Sequence, residues 1–193
     1  LVIADVADKG MPAALYMTVT RTLIQALTSS SSSPAALLEQ VNNILFSDKE
    51  NGMFVTAFFA EVNLDTGEVK YANAGHNPPI IIHSDGSMID IERGGIALGV
   101  LEGIKLKDQQ VTLKHGDSLL LYTDGVTEAT SNTEAMFGLD KFKSVLRDNA
   151  ANTIDEMLTA VEQSLDEFRS GMPPSDDVTM LCIQRNRNTT KSQ

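Results

Sequence analysis

The hydrophobic and polar positions of the chain predict strands and helices that occur in groups. An apolar run over residues 1–5 predicts a first strand. Two helices follow, then several strands joined by short turns, then two more helices and a last strand. Hairpin turns join neighbouring strands into antiparallel sheets, and helices that occur together form layers outside them. We therefore predict an α/β (α+β) sandwich, in which two mainly antiparallel β-sheets pack face to face and helices cover the outer faces.

The first pair of helices is predicted after Gly10. Pro12 suits a first helical turn, and Ser33-Pro34 suits an N-cap followed by the first residue of the second helix. The serines at positions 29–33 predict the connection between them, which is either plain structure or a mobile regulatory hairpin. The apolar residues expected to face inward are Leu15, Val19, Leu23 and Leu27 in the first helix and Leu37, Leu38, Val41, Ile44 and Leu45 in the second.

The middle of the chain predicts strands. Residues 54–62 are β-branched, aromatic or small and apolar on both faces until Glu61, which is typical of a central strand. Asp65-Thr66-Gly67 predicts a hairpin whose second strand runs over residues 68–74. Later, Thr153 and Glu156 have the spacing of a capping box at the start of a helix, and a last strand is predicted from about Asp177 to Gln184.

Acidic residues lie at the ends of three predicted strands. Residues 119–123 have no formal charge, predict a strand buried on both faces, and lead directly into Asp124 and Gly125. Residues 1–4 lead into Asp5, and Asp176-Asp177 precede the last strand. A carboxylate at the end of a buried strand is held rigidly, and glycine lets the backbone turn beside it. Such carboxylates can converge at one edge of a sheet and bind hard cations such as Mg²⁺ or Mn²⁺. Each acid can equally be part of a plain turn that ends a strand.

Composition restricts the class of protein. The 193 residues are enough for one domain with a hydrophobic core, predicted over residues 1–185 and followed by a polar tail over 186–193. No apolar run approaches the ~20 residues that span a bilayer. The net charge of −11 disfavours binding to nucleic acid and to anionic lipid. The single cysteine, Cys182, cannot form an internal disulfide and is expected to be a small core residue of a cytoplasmic protein.

Four stretches of the sequence together resemble one family. They are Ile3-Ala4-Asp5-Val6-Ala7-Asp8-Lys9-Gly10-Met11-Pro12-Ala13-Ala14, Asn73-Ala74-Gly75-His76-Asn77-Pro78-Pro79, Tyr122-Thr123-Asp124-Gly125-Val126-Thr127-Glu128 and Asp176-Asp177-Val178-Thr179. In this order and spacing the chain resembles the bacterial serine phosphatases of the sporulation-stage and sigma-factor-regulator type, a branch of the metal-dependent PP2C phosphatases. The resemblance extends over essentially the whole chain.

The resemblance implies a set of metal ligands. Asp5 is expected to bridge two Mn²⁺ or Mg²⁺ ions, with the backbone oxygen of Val6 as a further ligand. Asp124 and Asp176 are expected to complete the set, and Asp177 is the neighbouring acid that can be mistaken for Asp176. The implied reaction is hydrolysis of phosphoserine by a metal-activated water, without a covalent intermediate on the enzyme.

The sequence departs from the family in two ways. Family members carry a glycine-aspartate motif on strands that precede the position of Leu1, and its acid supports the second metal. We expect this chain to lack those first strands and to bind the second metal weakly. The human-type enzymes place a histidine shortly after the bridging acid, where this chain has Val6 and Ala7. We expect water to protonate the leaving group, and we expect His76 to be structural.

The resemblance also implies partners. The substrate is expected to be a phosphorylated STAS-type domain that antagonises an anti-sigma factor, and the parent chain is expected to carry an N-terminal sensor or receiver module. A homodimer formed through the two helices after Gly10 is a further expectation. The alternatives are a catalytically weak or inactive binding module with the same fold and, less favoured by the charge of −11, a two-metal nuclease.

Overall fold

The computed structural model describes residues 1–47, 52–174 and 176–186, and these form eight strands and five helices. The strands are β1 Val2–Val6, β2 Val55–Val62, β3 Glu68–Ala74, β4 Ile80–Ile82, β5 Met88–Asp90, β6 Gln109–Thr112, β7 Ser118–Tyr122 and β8 Met180–Gln184. The helices are α1 Met11–Leu27, α2 Pro34–Ser47, α3 Asp124–Thr127, α4 Leu139–Asp148 and α5 Ile154–Arg169.

The first compact unit consists of Leu1–Pro78 and Glu92–Thr112. Its strands form an antiparallel sheet in the order β1-β2-β3-β6, so β2 is an inner strand, as predicted. The predicted hairpin between β2 and β3 is confirmed, and Gly67 N donates to Asn63 O at 2.8 Å. Helices α1 and α2 pack on the face of this sheet that carries Val55.

The second compact unit consists of Pro79–Ile91 and Leu113–Gln193. Its sheet is also antiparallel, in the order β5-β4-β7-β8. All five residues of β7 are buried, which confirms the prediction of a strand buried on both faces. Helices α4 and α5 pack on the face that carries Leu120. The prediction of two mainly antiparallel sheets with helices against them is therefore confirmed.

The predicted inner face of α1 is wrong in its first half. Leu15 is 61% exposed and Val19 is 49% exposed, whereas the other two members of the predicted stripe are half-buried. A strict four-residue spacing winds around a helix that has 3.6 residues per turn, so it cannot stay on one face. The buried residues of α1 are Ala13, Thr20 and Ile24. Their spacings of seven and four residues are close to two turns and one turn, which keeps them on one face.

Helix α2 begins at Pro34 as predicted. The prediction that Ile44 faces inward is wrong. Ile44 is 43% exposed. Asn42 is buried, and its side chain accepts a hydrogen bond from Gly99 N at 2.9 Å and donates one to Leu101 O at 3.0 Å. The amide of Asn42 therefore satisfies the backbone of a loop, which no apolar residue at this position could do.

The C-terminal elements follow the sequence closely. Thr153 and Glu156 form the predicted capping box at the start of α5. Strand β8 begins at Met180, three residues later than predicted. Strand β5 was missed because only three residues form it. Positions 187–193 of the predicted tail lie outside the described residues. The extent of the domain over 1–185 stays a prediction.

No helix in the described part of the chain combines the length and the apolar character needed to cross a membrane.

Candidate active site

Asp5 lies in β1 directly opposite Thr56 of β2. Successive side chains of a strand point to opposite faces of a sheet. Their neighbours Val6 and Val55 belong to the core under α1 and α2. Asp5 and Thr56 therefore lie on the face of the sheet away from these helices, and Asp5 is half-buried there.

Backbone hydrogen bonds hold the loop after β1. Val6 O accepts a hydrogen bond from Asp8 N at 2.8 Å, and Ala7 N donates to Phe54 O at 3.0 Å. The carboxylate of Asp8 accepts from Lys9 N at 2.8 Å, and Asp8 is exposed. Asp8 is thus a solvated residue that is engaged in its own turn.

Asp124 follows β7 and is the first residue of α3, a single helical turn that the sequence analysis missed. It is half-buried, and its backbone oxygen accepts from Glu128 N at 2.7 Å. Thr123 is a residue type that commonly caps helices, but its hydroxyl does not cap α3. The helix was hard to predict because its four residues are too few to show a helical hydrophobic period.

Thr123 and Gly125 contact the segment that contains Asp176 and Asp177, the other predicted acids of this unit. The hydroxyl of Thr123 donates to Asp177 O at 3.1 Å and accepts from Thr179 N at 3.0 Å. A Cβ atom at Gly125 would lie 2.3 Å from Asp177 O, so only glycine allows this approach. The structure thus brings the backbone at Asp124 next to Asp176 and Asp177, both of which are exposed.

The predicted ligands are divided between the two compact units. Asp5 and Val6 belong to the first unit, whereas Asp124, Asp176 and Asp177 belong to the second. Asp176 Oδ1 accepts from Asp177 N at 3.0 Å. Across residues 1–47, 52–174 and 176–186, no three His, Cys, Asp or Glu side chains are grouped in a way that could hold a metal ion. The ligand set therefore stays a prediction.

His76 is buried and tied to its own turn. Its ring Nδ1 lies 2.9 Å from Thr56 Oγ1. Its backbone N donates to Asn73 Oδ1 at 2.8 Å, and its backbone O accepts from Asn73 Nδ2 at 3.0 Å. The turn geometry agrees with the interpretation that His76 is structural, and its contact with Thr56 adds a link that the sequence did not reveal.

The other two histidines have partners that the sequence analysis could not name. His83 Nδ1 lies 2.9 Å from Asp117 Oδ1, and Asp117 Oδ2 accepts from Lys114 N at 2.8 Å. His115 Nδ1 lies 3.0 Å from Asn186 O. Each partner is distant along the chain, so local sequence gave no signal for either contact.

Cys182 is a poor nucleophile in this fold. Burial raises the pKa of its thiol to about 11. At neutral pH the group is therefore protonated, whereas the thiolate is the nucleophilic form. Cys182 also packs against the core formed by Leu120 and its neighbours. These properties agree with the expectation that no covalent intermediate forms on this residue.

Solved structures identify the fold. The SiaA-PP2C domain of Pseudomonas aeruginosa matches 95% of this chain and 73% of its own chain, with a TM-score of 0.79 and 24% identity. RsbX, solved in complex with magnesium, matches 94% of this chain and 78% of its own, with a TM-score of 0.66 and 16% identity. The class of protein that the fold defines is thus the PP2C-like domain.

The family is shown by the sequence itself. Residues 1–186 match the family described as Stage II sporulation protein E (SpoIIE), and the chain belongs to this family. The phosphoserine phosphatase RsbU of Bacillus subtilis is 28% identical over 186 residues, which are 96% of this chain and 55% of RsbU. The chain therefore spans about half the length of that relative. The resemblance stated from the four sequence stretches is confirmed.

Proposed function

We propose that the chain is a phosphoserine phosphatase domain that acts with divalent cations. The observation that carries the proposal is the close approach of Gly125 to the backbone of Asp177. A Cβ atom at position 125 would lie 2.3 Å from Asp177 O. This approach holds the residue that follows Asp124 against the residue that follows Asp176. Asp124 and Asp176 are two of the predicted ligands. The similarity to RsbU supports the reaction.

The predicted ligands suit Mg²⁺ or Mn²⁺ chemically. They are the carboxylates of Asp5, Asp124 and Asp176, with Asp177 as the neighbouring alternative, and the backbone oxygen of Val6. All are oxygen donors, which hard divalent cations prefer over nitrogen and sulfur. Magnesium in the RsbX structure supports the same class of ion. Such ions, when bound, neutralise charge on a phosphate and lower the pKa of a bound water.

The charge of the chain explains why cations are needed. A phosphoserine monoester is a dianion, and the predicted ligands supply at least three of the negative charges of a chain whose net charge is −11. Like charges repel, and the repulsion grows where solvent is partly excluded. Asp5 and Asp124 are both half-buried. We infer that each of these carboxylates would hold a divalent cation, and that the cation's charge would offset the repulsion between the protein and a phosphate.

The protein partners form a finer part of the proposal. We propose a phosphorylated STAS-type domain as the substrate, a sensor or receiver module in the parent chain, and a homodimer. Support for the homodimer is the exposed apolar side of α1, which carries Met11, Leu15 and Val19.

One observation favours a second candidate, a signalling module with little or no activity. In the described ranges, no three potential ligand side chains are grouped to hold a metal ion. A chain that binds no divalent cation would keep the fold but not the reaction.

The experiment that separates the two candidates measures phosphate release from a phosphorylated STAS-type domain with and without Mn²⁺. We expect Mn²⁺-dependent release, and we expect Asp124→Asn to lower it about 100-fold or more, because loss of a ligand should exceed the 10- to 100-fold effects of residues that only orient ligands. The control is Asp148→Asn, an exposed acid at the end of α4. Unchanged turnover in Asp124→Asn would remove Asp124 from the mechanism, and an inert wild-type chain would favour the second candidate.

A further inference from the structure

Thr56 touches both the backbone of Asp5 and the ring of His76. Its Oγ1 donates to Asp5 O across a long contact of 3.4 Å and lies 2.9 Å from His76 Nδ1. We propose that Thr56 and His76 are positioning residues that orient Asp5 and Val6 for the cation. This inference rests on the proposed function, since it assigns a role toward the predicted ligands.

The ring of His76 is well placed to support Thr56 because its own position is fixed. The side chain of Asn73 holds the backbone of His76 at both N and O, at 2.8 Å and 3.0 Å. Asn73 O in turn accepts from Gly95 N at 2.9 Å. His76 is 5% exposed and Asn73 is 3% exposed, so water competes little for these hydrogen bonds.

The hydroxyl of Thr56 has one proton, and this sets the direction of the hydrogen bonds. If that proton is donated to Asp5 O, the same oxygen must accept from His76. His76 then carries its proton on Nδ1. The arrangement therefore predicts one tautomer of the His76 ring.

The carbonyl that Thr56 contacts belongs to the peptide between two predicted ligands. The carboxylate of Asp5 lies on one side of that peptide, and the backbone oxygen of Val6 lies on the other. Val6 O is also held by Asp8 N at 2.8 Å. Restricting the peptide therefore restricts both donors before a cation binds. Residues that orient ligands in this way typically contribute 10- to 100-fold in metal affinity.

The test compares Mn²⁺ affinity by calorimetry in three variants of the 193-residue chain. Thr56→Val removes the hydroxyl but keeps a β-branched side chain that suits a strand, and we expect affinity to fall about tenfold. Thr56→Ser keeps the hydroxyl and should restore most of the affinity. Thr20→Val is the matched control, because Thr20 is a buried threonine of the same unit whose hydroxyl donates within its own helix, to Tyr16 O at 2.9 Å.

A second measurement is independent of metal and of activity. In ¹⁵N spectra of the imidazole rings, we expect His76 of the wild-type chain to carry its proton on Nδ1. Melting temperatures of all variants show whether a loss of affinity reflects a loss of folding.

The outcomes distinguish this inference from the proposed function. Wild-type affinity in Thr56→Val, a loss in Thr20→Val as large as in Thr56→Val, or a His76 proton on Nε2 overturns the inference alone. A wild-type chain that binds no Mn²⁺ overturns the proposed function and the inference with it. A tenfold loss in Thr56→Val that Thr56→Ser restores supports both.

Discussion

Gly125→Ala is expected to remove most of the proposed Mn²⁺ affinity and of the proposed phosphatase activity. The added Cβ would lie 2.3 Å from Asp177 O and 2.9 Å from Asp177 C, both backbone atoms that cannot rotate away. Either α3 or the segment with Asp176 must move, so the position of Asp124 relative to Asp176 changes. We expect an affinity loss of tenfold or more by Mn²⁺ titration and a stability loss of about 1–3 kcal/mol from overpacking.

Gly103→Ala is the matched control for this substitution. A Cβ at Gly103 meets nothing within 4 Å, although its φ of 61° strains any other residue. We expect a stability loss of about 1 kcal/mol from that strain and no change in Mn²⁺ affinity. Equal affinities in the Gly125 and Gly103 variants would contradict the role assigned to the approach of Gly125.

Gly94→Ala is expected to have the largest effect on stability. A Cβ at Gly94 would lie 2.1 Å from Asn73 O, 2.3 Å from Asn73 Cβ and 2.5 Å from Asn73 C. Asn73 is buried and holds the turn of His76 through two hydrogen bonds. Because neither backbone can yield without breaking this turn, we expect the free energy of unfolding to fall by about 3 kcal/mol, at the upper end for overpacking. Urea denaturation measures this loss.

The neighbouring residue provides the control. A Cβ at Gly95 would lie 2.6 Å from Leu106 Cδ2, which is the end of a flexible side chain, and 3.9 Å from Asn73 O. Leu106 can change rotamer, so Gly95→Ala should lower the free energy of unfolding by less than about 1 kcal/mol. Comparable losses in the two variants would show that the Asn73 turn is not rigid.

Much of the fold could be predicted because its signals are local. Strand β7 is a run of apolar residues, and the β2–β3 hairpin is marked by Asp65-Thr66-Gly67. Start signals of helices also worked, as Pro34 and the Thr153 cap show. Burial within a helix was less predictable: Leu15 is exposed because the buried side of α1 follows 3.6 residues per turn.

The candidate site could be predicted only in part, because contacts between distant residues leave no local signal. The acids at strand ends were visible as Asp5 and Asp124. The need for glycine at position 125 arises from the backbone of Asp177. Thr56 has no unusual neighbours in sequence, and its contact with His76 arises from the pairing of strands. Such contacts depend on the fold and become visible only with it.

We propose that Asp124 and Asp176, which belong to the same compact unit, bind the same divalent cation. A double-mutant cycle of Mn²⁺ affinity with Asp124→Asn, Asp176→Asn and the double variant tests this directly, because residues that share a partner give non-additive effects. We predict that each single variant loses most of the Mn²⁺ affinity. The double variant should bind Mn²⁺ almost as well as the single variant with the larger loss. Losses that simply multiply, or wild-type affinity in either single variant, would contradict a shared site.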